Sequence, residues 1–121
     1  FDINFKRASL IGENYAVKAY NNLEQLLKQC VAVSITTPAA AHFEAAKIAL
    51  QYDCHVFIEK PLTTLLQDAD NLIALAKTKH KLIQVGHIER FNPVIVAFVA
   101  MSPKCSPNFI EYFWLNFEKN K

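Results

Sequence analysis

Three clusters in this sequence carry side chains able to do chemistry, and each has a proline or glycine beside it. The first is Glu59-Lys60-Pro61 in "HVFIEKPLTTL". A lysine Nζ can take or give a proton or sit against an anion, a carboxylate can accept from a hydroxyl, and proline fixes the backbone that aims them. The second is Thr36-Thr37-Pro38, with His42 following in "TTPAAAHFEAA". Two hydroxyls, turn backbone and an imidazole could meet a polar ligand there. The third begins at Gly86 and runs through His87, Arg90 and Asn92 in "VGHIERFNP". A guanidinium pairs well with phosphate or carboxylate. Each cluster has a plainer reading. Glu59 and Lys60 could form an ion pair at a turn, and Thr37 could cap an ordinary strand-to-helix corner. His42 could be a helix-surface residue, and Arg90 half of a salt bridge between domains.

The elements that must position these clusters alternate between strand and helix. "VAVSIT" (31–36) is a continuous β-prone run, as expected of a strand covered on both sides. Thr37 and Pro38 break it, and "AAAHFEAAKIALQY" reads as a helix. "HVFI" is a second buried strand, and a helix over about Leu65 to Thr78 turns Ala69, Leu72, Ile73 and Ala76 inward. "LIQV" is a third strand, ended by Gly86, and Pro93 suits the first turn of a helix continued by "VIVAFVAM". Upstream, Asn4 caps a helix reaching Tyr15, "AVKAY" is a short extended candidate, and Asn21 or Asn22 caps "LEQLLKQ". Downstream, "FIEYFWLNF" best suits a long strand of a different sheet.

Strand–helix–strand–helix–strand at this spacing implies an α/β fold with a parallel sheet and right-handed crossovers. In such sheets ligands bind beyond the carboxyl ends of the strands. All three polar clusters fall at such ends, so they converge on one edge.

The totals narrow the partners. The chain has 121 residues, 52% hydrophobic and 20% charged, which suits a folded core. A net charge of +2, with basic residues scattered, argues against nucleic acid or an anionic membrane as partner. "PVIVAFVAM" is too short to span a bilayer, and "FDINFKRAS" has no apolar signal region, so a cytoplasmic protein is the expectation. Cys30, Cys54 and Cys105 form no C-x-x-C pair; no metal site is expected, and Cys30 and Cys54 read as small core residues. Only Gly12 and Gly86 are glycines, so no glycine-rich phosphate loop lies in this chain.

A strand ending in threonine, a helix and a strand ending in Lys-Pro also resemble a two-component receiver domain. A receiver needs an acceptor aspartate ending the preceding strand, and "AVKAYNN" offers no acid. The fuller resemblance is to the Gfo/Idh/MocA oxidoreductases, glucose-fructose oxidoreductase, inositol dehydrogenase and relatives. "VAVSITTPAAAHFEAAKIAL" resembles the family's Thr-Pro and His segment at the dinucleotide site. "HVFIEKP" resembles its Glu-Lys-Pro signature, and "LIQVGHIERFNPV" its junction into the substrate domain in nucleotide-sugar branches. "NFIEYFWLNF" is similar to the first long strand of the C-terminal sheet, although "YFWLN" stands where relatives often have a His-Arg pair.

The resemblance implies a partial Rossmann-like sheet with flanking helices, followed by the first strand of an α+β substrate domain. Residues 1–86 correspond to the later part of the NAD(P)-binding domain and residues 87–121 to the start of a substrate and dimerisation domain. The implied reaction is hydride transfer between a sugar or nucleotide-sugar carbinol carbon and nicotinamide, in a homo-oligomer. Lys60 is implied as the group touching the reacting hydroxyl, with Pro61 holding the turn through a trans or cis bond. Thr36, Thr37, Pro38, His42 and Glu59 are implied on the cofactor side, and His87, Arg90 and Asn92 on the substrate side. Asp2 falls where an acidic residue holds the adenosine ribose, which favours NAD over NADP because a 2′-phosphate would be repelled; its plainer reading is a cap for the following helix. The glycine-rich turn and the later substrate domain of the family are not in these residues. The chain therefore resembles an internal fragment or degenerate copy of a longer dehydrogenase, inactive alone. The alternative is a truncated, non-catalytic binding or assembly module.

Overall fold

Two asparagines open the first helices. The computed structural model of the protein describes residues 1–101, so Cys105 and the expected strand "FIEYFWLNF" lie outside the described residues. Helix α1 (Phe5–Asn14) starts where the Asn4 carboxamide oxygen accepts from the Arg7 N–H at 3.2 Å. Helix α2 (Leu23–Leu27) starts where the Asn22 oxygen accepts from the Gln25 N–H at 3.0 Å. Each cap satisfies an amide that a helix start leaves without a partner. Between the two helices "AVKAY" forms no strand, having no neighbour to pair with among the described residues. Instead Ala16 turns left-handed (φ 52°) and the Val17 N–H donates to the Gly12 carbonyl at 2.9 Å.

Strands β1 (Ala32–Ile35), β2 (His55–Ile58) and β3 (Ile83–Val85) form one parallel 3-stranded sheet in the order β1-β2-β3. Ile35 pairs with Ile58 and Ile58 with Val85, so the strands reach their carboxyl ends level with one another. The first crossover is a 3₁₀ turn (Ala39–Ala41) leading into α3 (His42–Gln51), and the second is α4 (Leu66–Lys79). Helices α3 and α4 pack on each other and on one face of the sheet. Successive right-handed crossovers in one direction place both helices on the same side.

That face holds the core. Ala46, Ala49 and Leu50 of α3 and Leu72 and Ala76 of α4 enclose Ile35, Val56 and Ile58. Cys54 is fully buried among them, and its thiol donates to the Cys30 carbonyl at 3.2 Å, while Cys30 is half-buried beside it. The inward set expected on α4 needs one correction. Ile73 is exposed and Leu75 packs on the core instead, because Leu72, Leu75 and Ala76 share one helical stripe that Ile73 leaves.

The expectation that β1 is covered on both sides is also corrected. Burial alternates along the strands, and among the described residues only one face carries helices. The other presents Ala32, Ser34, His55, Phe57 and Gln84 around a shallow depression of about 420 Å³.

The chain divides into two compact units, Phe1–Gly86 and His87–Lys121. In the second, a 3₁₀ turn (Ile88–Phe91) precedes α5 (Pro93–Met101), with Pro93 at the first helical position. Among the described residues no helix is long and apolar enough to cross a membrane.

Candidate functional site at the carboxyl edge of the sheet

Beyond β1 the chain turns through Thr36, Thr37 and Pro38, all exposed. The Thr37 hydroxyl does not cap the turn that follows. Pro38 occupies the cap position, with no side-chain hydrogen bond, and its carbonyl accepts from the Ala41 N–H at 2.8 Å.

Beyond β2 come Glu59, Lys60 and Pro61. The Glu59 N–H donates to the Ile35 carbonyl at 3.1 Å, so the second corner starts alongside the first. The Lys60–Pro61 peptide is cis. Leu62 then packs against the core and Thr63 donates its hydroxyl to the Leu65 carbonyl at 2.8 Å, anchoring the segment after the corner. Lys60 is exposed, and among the described residues no ion pair or hydrogen bond holds its ammonium. The Glu59–Lys60 pair of the plainer reading does not form.

The Glu59 carboxylate lies instead over the end of β3. A Cβ on Gly86 would stand 3.1 Å from its Oε2, and the Gly86 N–H donates to the Ile58 carbonyl at 2.7 Å. Glycine at this position leaves room for the acid between the second and third strand ends.

His42, the first residue of α3, links two of the corners. It is 1% exposed, with Nδ1 2.7 Å from the Pro61 carbonyl oxygen and Nε2 2.8 Å from the Thr37 carbonyl oxygen. The ring is therefore neither on the helix surface nor free to offer a nitrogen to a ligand. Nothing local in the sequence announces this, since both partners are backbone carbonyls and one is 19 residues away.

Asn4 caps α1 and Asp2 stands before it: its Oδ1 accepts from the Asn4 N–H at 2.7 Å and its Oδ2 lies 3.5 Å from Arg7. In the second unit His87 and Arg90 are exposed, and Arg90 has no ion-pair partner among the described residues. The Asn92 amide is taken up locally, donating to the Glu89 carboxylate at 3.0 Å and accepting from the Val94 N–H at 3.0 Å at the start of α5. Among the described residues no group of three His, Cys, Asp or Glu side chains could hold a metal ion.

A singly wound parallel sheet with polar corners along its carboxyl edge defines a partial Rossmann-type nucleotide-binding fold. The model of the Gfo/Idh/MocA oxidoreductase family, described as an NAD-binding Rossmann fold, matches residues 1–87, and the chain belongs to that family. It is similar to UDP-N-acetylglucosamine 3-dehydrogenase of Acidithiobacillus ferrooxidans, 35% identical over 111 residues, covering 92% of this chain and 35% of that protein. It is also similar to inositol 2-dehydrogenase of Salmonella typhimurium, 33% identical over 96 residues, covering 75% of this chain and 29% of that protein. Among solved structures, the Acidithiobacillus enzyme superposes with a TM-score of 0.79 at 36% identity, over 85% of this chain and 34% of that one. The 3-ketoreductase KijD10 of Actinomadura kijaniata, in complex with TDP-benzene and NADP, gives 0.76 at 27% identity, over 83% of this chain and 32% of that one. The chain thus spans about a third of the length of the relatives it matches.

Proposed function

We propose that this chain is the later part of the nucleotide-binding half, and the start of the substrate-binding half, of a dehydrogenase acting on a sugar or nucleotide sugar. The observation that carries the reading is a lysine without a partner among the described residues, beside an exposed Thr-Pro corner at the sheet edge where wound folds bind ligands.

The residues present fit one end of a dinucleotide. Exposed turn backbone at Thr36–Pro38 offers a surface for it, and Lys60 offers a donor beside that surface. They do not fit its pyrophosphate, because no glycine-rich turn occurs in the sequence. When bound, the nicotinamide supplies the hydride acceptor. The carbinol C–H bond would break as hydride leaves for it, the carbon would be oxidised to a carbonyl, and Nζ of Lys60, as the neutral amine, would receive the hydroxyl proton. Glu59, packed over Gly86, holds the corner from which Lys60 projects. Exposed Arg90 and His87 suit a phosphate-bearing substrate, and Asn92 supports them by capping α5.

The Asp2 carboxylate favours NAD, with NADP the poorer fit. The same reading takes a small-molecule sugar substrate, a homo-oligomer and a cytoplasmic location, with neither nucleic acid nor membrane as partner.

The test is Lys60→Ala in the full-length protein that carries this chain, assayed with NAD and a panel of UDP-sugars. Turnover should fall by about 100-fold or more, as expected on removing a group that moves a proton, with dinucleotide affinity retained. Unchanged turnover would remove Lys60 from the reaction.

A further inference from the structure

His42 is the one buried polar or charged side chain among the described residues. A polar ring in a core costs free energy unless its hydrogen bonds are made, and a leucine or phenylalanine would fill the space without that cost. The return for keeping a histidine lies in what it bonds. Nδ1 meets the Pro61 carbonyl at 2.7 Å and Nε2 the Thr37 carbonyl at 2.8 Å. Both partners are acceptors, so each contact is a hydrogen bond only when the nitrogen facing it carries a proton.

These two carbonyls belong to the two corners on which the proposed reaction rests. The backbone link between the strands, Glu59 N–H to Ile35 carbonyl, lies before either turn. Past it, among the described residues, the imidazole is the side chain that joins the Thr-Pro corner to the Lys-Pro corner. Its own position is set by the start of α3, whose next turns are locked into the core through Ala46, Ala49 and Leu50.

We infer that His42 is a positioning residue: it fixes the Lys60–Pro61 corner against the Thr37–Pro38 corner, and so sets where Lys60 stands relative to a ligand lying on that turn. This rests on the reading of Lys60 given above. It also explains how an exposed lysine with no partner of its own can be held in register, since the hold acts on the backbone of the following residue.

The test uses the full-length protein with His42→Phe, which keeps the ring's bulk and removes both ring nitrogens, and His42→Gln, which keeps a donor. Misplacing reacting groups by about 1 Å can cost on the order of 100-fold in rate. His42→Phe should therefore lower kcat about 10- to 100-fold, with dinucleotide affinity nearly unchanged, and His42→Gln should fall between it and wild type. In a Lys60→Ala background the same His42→Phe change should cost less than about twofold, because the group being aligned is gone. Equal losses in both backgrounds would mean a merely structural role and would overturn the assignment. A second readout is independent of turnover. Amide exchange at Ala41 and Glu59, the hydrogen-bonded amides at the two corners, should quicken by about tenfold or more in His42→Phe, while amides in the middle of α3 hold. Unchanged exchange at both sites overturns the inference whatever Lys60 does. Should Lys60→Ala alone leave turnover intact, the dehydrogenase role of Lys60 fails, and the exchange experiment decides the linkage by itself. If His42→Phe does not fold, His42→Gln carries both measurements, and wild-type behaviour in each overturns the inference.

Discussion

Both glycines of this chain are buried, and the same substitution should do different things at each. At Gly12 a Cβ would stand 2.7 Å from the Val17 carbonyl oxygen, which is backbone held by the turn after α1. That turn cannot yield without losing the Val17-to-Gly12 hydrogen bond. Gly12→Ala should therefore cost about 1–3 kcal/mol, as overpacking does, read as a lower urea midpoint with unchanged slope. At Gly86 the obstacles are the Glu59 carboxylate at 3.1 Å and the rim of the Phe57 ring at 3.3 Å, both ends of side chains that can move. Gly86→Ala should cost less than about 1 kcal/mol, yet it dislodges the acid next to Lys60. In the full-length protein its effect should appear in turnover before it appears in the midpoint. A midpoint loss at Gly86 as large as at Gly12 would show that Glu59 is held more tightly than its half-exposed position implies.

Among the elements, α2 is the shortest of the α-helices, and its docking depends on β2 and the end of α3. The Cys54 thiol, just before β2, reaches back to the Leu27 and Cys30 carbonyls at 3.5 Å and 3.2 Å. The Tyr52 phenol is pushed up by a hydrogen bond to Glu24 of α2, then by burial and the Glu24 charge. Burial first, and then Cys30, push the Cys54 thiol above its ordinary 9.0. Below that ordinary value the folded and unfolded chains both keep the proton, and this contribution is whole. As pH rises past it, the unfolded chain releases the proton first, so stability declines until the folded thiol also ionises. The urea midpoint should fall as pH rises past the ordinary 9.0 of the thiol, and fall less in Cys54→Ala. Equal slopes in the two proteins would exclude Cys54 as a source. How far such features can be read from sequence depends on where the constraint sits. The three strands, the two crossover helices and the asparagine caps were legible because periodicity and cap chemistry are local. The adjacency of the Thr-Pro and Lys-Pro corners followed from the rule that parallel strands end on one edge. The clasp by His42 was not legible, because its ring nitrogens face two backbone carbonyls, which leave no partner side chain to notice. The exposure of Ile73 was missed for a different reason: Leu72, Ile73, Leu75 and Ala76 are all apolar, so the stripe alone does not say which one faces out.

At the scale of the whole chain, the fold is lopsided in its cover. One face of the sheet is packed under α3 and α4, while the other, among the described residues, shows Phe57 at 38% exposure and Leu82 at 72% beside the depression. Strands β1 and β3 each also leave an edge unpaired among those residues, and Val31 beside the first is 75% exposed. Apolar surface next to open strand edges invites pairing with another chain. These 121 residues expressed by themselves should therefore self-associate, eluting above monomer mass with a distribution that shifts with concentration. Lysine at an exposed edge position opposes such pairing with little cost to the fold. Val31→Lys with Leu82→Lys should move the population toward monomer at unchanged helix content, because neither side chain contributes to the buried core. A monodisperse monomer of the unmodified chain in light scattering would mean that this face is covered from within the chain, and the double substitution should then destabilise the fold.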